Sequence, residues 1–213
     1  MKFCVIGIGR FGYRVATTLA ENGMEVLVVD NSESLIASIR DHVTQAICMK
    51  IEDEASLRSI GIEEMDTVIV AIGENFAQSI LVTAILKKKL KTPRVITRSI
   101  GNIHEEILKL VGADMIILPE QTVAIQLADR LSLPFTSIAR LTNDYSIGII
   151  TSPEEYMGKT VQELKLYEQY AITFLGVMKN DSIEQVPADY VIEEGNKLVC
   201  AGSNKSLSKI TKA

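Results

Sequence analysis

At 213 residues the chain has room for one large or two modest domains, and its 47% hydrophobic and 23% charged content belongs to folded globular proteins rather than disordered ones. The formal net charge is −5, and the single basic cluster, Lys87-Lys88-Lys89, ends a predicted helix where cations suit the dipole, so nucleic-acid binding finds no support. The apolar runs fall far short of the roughly twenty residues that a spanning helix needs. The N-terminus opens directly on an apolar strand, so no signal peptide is expected. Cys4, Cys48 and Cys200 are odd in number and far apart, and they read as reduced, buried thiols of a cytoplasmic protein.

Lys2-Phe3-Cys4-Val5-Ile6 is a short apolar run, predicted to be a buried strand. Gly7-Ile8-Gly9-Arg10-Phe11-Gly12 follows, and from Phe11 the apolar positions Phe11, Val15 and Leu19 recur at helical spacing up to Asn22-Gly23. Glu25 to Val29 is a second strand with Asp30 at its end. A helix is predicted over 32–41, a strand over 44–49, a short helix over 52–60 stopped by Gly61, and a fully apolar strand over 67–71. The next helix runs to about Leu90, before Pro93. Arg94 to Thr97 is strand five, a helix follows to Gly112, and Met115 to Leu118 is strand six. Six strand–helix units imply an α/β fold, a doubly wound parallel Rossmann sheet of order 3-2-1-4-5-6.

A helix over 120–131 is broken at Ser132-Leu133-Pro134, which sets the domains at 1–133, crossover helix included, and 134–213. The second domain is read as a smaller α+β unit. It has strands over 145–150 and 172–178, a turn at 179–182 with a short return strand, a strand over 197–201 and a closing helix over 203–212. One or two helical turns fall at 159–164.

In G-x-G-x-x-G after a strand, the first glycine allows a tight turn, the second lets backbone approach a phosphate, and the third lets helix pack on strand. The helix N-terminus then offers free N–H groups and partial positive charge to an anion. Asp30 stands where ribose hydroxyls would lie, and its charge disfavours a 2′-phosphate, pointing to NAD or an adenosine nucleotide rather than NADP. A P-loop is ruled out because Tyr13-Arg14 stands where Lys-Ser/Thr is required. A strand–helix turn that binds nothing is the bland alternative. Ligands of such sheets sit at the carboxyl ends of the strands, near the switch between strands one and four. That places Gly7, Gly9, Arg10, Phe11, Gly12, Asp30, Asn31, Ser32, Lys50, Ile51, Ala71, Ile72, Gly73, Arg98, Ser99, His104 and Glu120 around one crevice. Arg10 and Arg98 can pair with phosphate oxygens, though either could be a solvated or ion-paired surface arginine. His104 is a ligand contact or a satisfied structural histidine. Glu120 either suits a helix dipole or holds a divalent cation at the phosphates. His42 reads as polar surface. G-x-S-x-G, H-E-x-x-H and C-x-x-C are absent, and residues 134–213 contain no histidine, so no catalytic residues are assigned. An NAD-dependent oxidoreductase with a small substrate domain is kept as the alternative, as is a sensor acting on another partner.

Val5 to Gly12, the strand ending at Asp30, Asp66 to Asn75 and Gly112-Ala113-Asp114-Met115-Ile116-Ile117-Leu118-Pro119-Glu120 together resemble the RCK (regulator of potassium conductance) proteins. These are the cytosolic regulatory subunits of bacterial Trk and Ktr potassium uptake systems. Asp189 to Gly202 is similar to the family's terminal strand–turn–strand, so the resemblance spans nearly the whole chain. It implies a homo-oligomer, dimers assembling into an eight-membered ring, docked on the inner face of the membrane against an integral-membrane potassium transporter. It implies ATP, ADP or NAD(H) in the crevice, Arg10 reaching phosphates across a dimer interface, and Glu120 at a cation. One departure stands out: Met49-Lys50-Ile51-Glu52 replaces the family's usual Gly-Asp-Ala-Thr or Asn-Ala-Thr.

Overall fold

A computed structural model of the chain describes residues 1–132, 135 and 137–210. Two compact units divide it at Gln121/Thr122. The break expected at Ser132-Leu133-Pro134 falls largely outside the described residues, and the closing helix expected over 203–212 is shorter, running from Asn204 to Leu207 and giving way to a turn over 208–210.

The first unit alternates strand and helix: β1 Lys2–Ile6, α1 Arg10–Glu21, β2 Glu25–Asp30, α2 Glu33–Ile39, β3 Gln45–Cys48, α3 Glu54–Ser59, β4 Thr67–Val70, α4 Phe76–Ala84, β5 Arg94–Arg98, α5 Asn102–Val111 and β6 Met115–Ile117. Its six parallel strands run in the order β3-β2-β1-β4-β5-β6, the order that six strand–helix units predicted. Successive side chains of a strand point to opposite faces, and both faces here are covered. Cys4, Ile6, Leu27, Val29, Val68 and Val70 pack with Leu57 of α3 and Val82 of α4. Val5, Val26, Val28 and Ile69 pack on the other side with Ala16 of α1 and with Ile36 and Ile39 of α2. Burial on two faces is why these strands read as unbroken apolar runs.

Two expectations are corrected. The helix expected to continue to Leu90 changes at Ile85 into a π-helical turn, Ile85–Lys89, closed by the Leu90 amide donating to the Ile85 carbonyl at 3.0 Å. The wider turn keeps consecutive residues Ile85 and Leu86 both inside the core. Cys48 is not buried. It ends β3, an edge strand of the sheet, and is exposed, whereas Cys4 and Cys200 are buried.

The second unit takes up helix α6 (Pro119–Ser132) from Thr122 onward. It continues with β7 Ser137–Arg140, β8 Tyr145–Thr151, α7 Val161–Leu164, α8 Leu166–Tyr170, β9 Thr173–Lys179, β10 Ser182–Glu184, β11 Lys197–Ser203 and α9 Asn204–Leu207. The strands form an antiparallel sheet of order β10-β9-β11-β8-β7. Ile150, Leu164, Ile172, Val177, Leu198, Cys200 and Leu207 build its core. This is the small α+β unit the sequence implied. Strand β7 and helix α8 escaped that reading, because Ser137-Ile138-Ala139-Arg140 has too short an alternation to register and α8 is a five-residue helix. Among the described residues no helix is long and apolar enough to cross a membrane.

A nucleotide crevice at the carboxyl ends of the strands

The glycine turn is built as its spacing required. Gly7 has φ +88°, a left-handed backbone that glycine adopts without strain. Its amide donates to the Val29 carbonyl at 2.9 Å, tying the end of β1 to β2. A Cβ on Gly12 would stand 2.0 Å from the Gly7 carbonyl oxygen, so only glycine lets α1 start this close to the strand. At Gly9 the opposite holds: an added Cβ would meet nothing within 4 Å. Gly9 precedes α1, which has no side-chain cap and no acidic residue in its first turn. The start of α1 thus has no carboxylate of its own to answer its dipole, and an anion suits it.

Asp30 does more than wait for a sugar. Its Oδ2 accepts from the Ile8 amide at 2.8 Å and its Oδ1 from the Ser32 amide at 2.9 Å. Each oxygen keeps a further lone pair for a ribose hydroxyl. Asn31 is exposed, and Ser32 caps α2 by accepting from the Leu35 amide. On the other side of the turn Ala71 and Ile72 pack against Gly7.

A second cluster gathers on Arg98, the last residue of β5. Its guanidinium lies across Gly73, where a Cβ would be 2.4 Å from Nη1. Its Cζ is 6.0 Å from the centre of the Phe11 ring. Its Nη2 donates to Glu120 Oε1 at 2.5 Å. The Glu120 carboxyl is held below its ordinary pKa by its own backbone amide and by Arg98, against a smaller opposing cost of burial. The Arg98–Glu120 contact was not foreseen, yet the register contains it: Arg98 pairs with Ile117 across β5–β6, and Glu120 follows three residues on.

The remaining candidates are placed differently. Lys50 is exposed and pairs with Glu52 at 2.5 Å. The Ile51 side chain belongs to the core, and its carbonyl accepts from Gln78 Nε2 at 3.0 Å. Ser99 is buried and bonds the Gly101 carbonyl at 2.8 Å. His104 is buried, with Nδ1 accepting from the Ile100 amide at 3.3 Å and its ring 4.5 Å from that of Phe76. Burial lowers its pKa, so it is held neutral, and its Nε2 is buried without a partner. Arg10 is exposed in the first turn of α1. Among the described residues no three His, Cys, Asp or Glu gather in a way that could hold a metal. In the second unit an open cavity of ≈ 350 Å³ lies against Lys165, Tyr167, Glu168 and Phe174. It has no glycine turn, and the chemistry of the chain concentrates at the Rossmann crevice instead.

The TrkA-N domain family matches residues 3–119, more than half of the chain. The chain belongs to the TrkA-N family. Two relatives extend the likeness beyond that domain. Ktr system potassium uptake protein C of Bacillus subtilis is 31% identical over 213 residues, covering 99% of this chain and 96% of its own. Ktr system potassium uptake protein A of the same organism is 32% identical over 210 residues, covering 98% and 94%. Among solved structures, the GsuK RCK domain superposes with a TM-score of 0.55 at 22% identity over 96% of this chain and 44% of that one. The GsuK channel bound to NAD gives a TM-score of 0.55 at 20% identity, covering 99% and 38%. The chain thus spans less than half the length of these solved chains, and at such identity the likeness shows the fold. The RCK resemblance drawn from the TrkA-N motifs, Val5 to Gly12 and Gly112 to Glu120, holds.

Proposed function

We propose that this chain is a non-enzymatic regulatory subunit that binds an adenine nucleotide or NAD(H) and thereby gates a membrane potassium transporter. The observation that carries the reading is end-to-end likeness to Ktr potassium uptake proteins in a chain whose glycine turn, Asp30 and Arg98 fit a phosphorylated ribonucleoside. The turn takes phosphate on backbone amides, Asp30 accepts from ribose hydroxyls, and Arg98 adds charge-assisted hydrogen bonding. Arg10 distinguishes ligands by phosphate charge, and Glu120 is a candidate for a divalent cation at the phosphates. The domain limits of 1–133 and 134–213 are part of this proposal.

A ligand gates only through its differential affinity for two arrangements of the assembly. Assembly into dimers and an eight-membered ring is supported by the apolar residues that α5 and α6 leave exposed, among them Ile103, Leu110, Val123, Leu127 and Leu131. Its place is then the cytoplasm, at the inner face of the membrane through its transporter.

Calorimetric titration with ATP, ADP, AMP and NAD, for wild type and Arg10→Ala, tests the reading. Micromolar binding with loss graded by phosphate number is expected. Failure of all four ligands to bind overturns it. Light scattering tests the ring, for which a mass eight times 23.4 kDa is expected. Oxidation of NADH by a panel of small aldehydes would favour the oxidoreductase instead.

A further inference from the structure

Two loops bound the crevice on the side of β4 and β5: residues 71–75, which lead into α4, and 99–101, which lead into α5. Arg98 joins them on the α1 face of the sheet, where its guanidinium lies across Gly73 and beside the Phe11 ring. On the other face the join is made by His104, in the first turn of α5. His104 is 2% exposed, and its Nδ1 accepts from the Ile100 amide at 3.3 Å. The same ring lies 4.5 Å from that of Phe76, the first residue of α4. The grip of the sheet on the 99–101 loop ends at the Ser99 amide, which donates to the Ile117 carbonyl at 2.8 Å. Beyond it the Ile100 side chain is half exposed, Gly101 has none, and the Ser99 hydroxyl bonds within the loop, to Gly101. Because Nδ1 accepts, Nε2 carries the ring proton, and that donor is buried without a partner. A leucine would fill the pocket without the cost of an orphaned donor. What histidine supplies and leucine lacks is the Nδ1 acceptor.

We infer that His104 is a positioning residue of the crevice: its imidazole pins the junction after β5 to the start of α4, so that Arg98 and Gly73 keep the spacing in which the guanidinium serves a phosphate. This role rests on nucleotide binding in that crevice. It requires a neutral ring, because a protonated Nδ1 would meet the Ile100 N–H donor to donor. Among the described residues the groups around the ring offer an added charge no partner. Helix α4 and strand β6 carry no charged side chain, and Glu74 ahead of α4 is exposed. Arg98 of β5 lies on the opposite face, against Phe11. On α5, Glu105 pairs with Lys109 at 2.5 Å and Glu106 is exposed. The first turn of α5 is also the positive end of its dipole. Burial accordingly holds the His104 pKa below the ordinary histidine value. The pin is therefore at full strength above the free value of about 6.5, and it weakens as pH falls below that, where an opened junction takes the proton first.

The test uses the full-length protein at pH 7.5 and pH 5.5. Calorimetry with NAD, whose pyrophosphate does not titrate in that range, compares wild type with two variants; ADP serves if NAD does not bind. His104→Gln keeps an acceptor but cannot titrate, and His104→Leu fills the pocket without an acceptor. Wild type is expected to bind about two- to tenfold more weakly at pH 5.5, one histidine proton setting the ceiling. His104→Leu is expected to bind about three- to tenfold more weakly than wild type at pH 7.5, the reach of one lost hydrogen bond, and to change little with pH. His104→Gln is expected to stay within about threefold of wild type at pH 7.5 and to hold that affinity at pH 5.5, since its acceptor survives acid. Hydrogen exchange needs neither variant nor nucleotide. After correction for the intrinsic rate, protection of the wild-type Ile100 amide is expected to fall by up to about tenfold over the same range, relative to amides of β1. Equal pH profiles for wild type and His104→Gln overturn the inference, as does Ile100 protection that acid leaves unchanged. If His104→Leu fails to fold, those two comparisons decide. Wild type that binds neither NAD nor ADP overturns the nucleotide reading and takes this role with it. Wild type that binds while all three proteins share one affinity and one profile sinks the role of His104 alone.

Discussion

The carboxylate of Asp30 and the amide of Ile8, twenty-two positions apart in sequence, lie 2.8 Å apart in the fold. The residue expected to hold a sugar thus also holds the phosphate turn. Asp30→Asn replaces one acceptor with an amide NH2, which faces either the Ile8 or the Ser32 amide donor to donor. A lost hydrogen bond to a charged acceptor costs about 1–3 kcal/mol, so the urea midpoint of Asp30→Asn is expected to fall. Nucleotide affinity is expected to fall with it, because the turn and the ribose site fail together. An unchanged midpoint with lost affinity would show that Asp30 serves the ligand alone.

Gly9 and Gly12 separate binding from folding. Gly12→Ala forces a Cβ to within 2.0 Å of the Gly7 carbonyl, a backbone atom that cannot swing away. Overpacking of that kind costs about 1–3 kcal/mol or more, and a lowered Tm is expected. Gly9 has φ −59° and ψ −175°, open to any residue, and its Cβ would meet no neighbour within 4 Å. Gly9→Ala is therefore expected to keep its stability to within about 0.5 kcal/mol, as surface changes do. It is expected to lose nucleotide affinity, because the methyl enters the space in front of the helix. Thermal melts with and without ATP check both halves.

The parallel sheet was legible because burial on two faces writes itself as apolar runs, and the turn because its glycines fall at fixed offsets. What sequence spacing hid were contacts between elements. Arg98 was readable as a cation at a strand end, but its bond to Glu120 depends on β6 lying beside β5. Ile51 was assigned to the crevice by its place after β3, and its aliphatic side chain follows the hydrophobic effect into the core. Ala71 and Ile72 were placed at the crevice by strand position alone, and in the fold they lie against Gly7. In the second unit the long alternating strand β8 was readable from its pattern, while α8 was not. Its two flanking residues, Lys165 and Ala171, sit at φ 44° and 55°, a left-handed backbone that neither residue type advertises.

Thiol chemistry gives an inexpensive check of the two cores. Burial pushes the Cys200 thiol up to about 12 and raises that of Cys4 further still, so neither offers thiolate at neutral pH. Cys48 is exposed at the end of β3, open to a reagent in solution. A disulfide reagent at pH 8 is expected to titrate one thiol in the native protein and three in denaturant, with mass spectrometry placing the first on Cys48. Rapid native reaction at Cys4 would contradict the packing of β1.

The pair between Asp129 of α6 and Arg140 of β7 sets an acid limit for the second unit. The guanidinium grips both carboxylate oxygens, Nε to Oδ2 at 2.5 Å and Nη2 to Oδ1 at 2.7 Å. Hydrogen bonds from Arg140 hold the Asp129 carboxyl below its ordinary range, outweighing the opposing cost of burial. Because the folded-state pKa lies below the unfolded value of about 3.9, the pair's stability is fully present above that pH. It disappears as pH falls through the folded pKa, where the unfolded chain has already taken the proton. Asp129→Asn is therefore expected to lower Tm by several degrees at pH 7, and the gap to wild type is expected to narrow below pH ~4 as the wild type loses the same charge. Denaturation curves from pH 7 to pH 2.5 measure that gap. A gap of constant size across the series would assign the Asp129 contribution to packing rather than to its charge, since only the charge titrates.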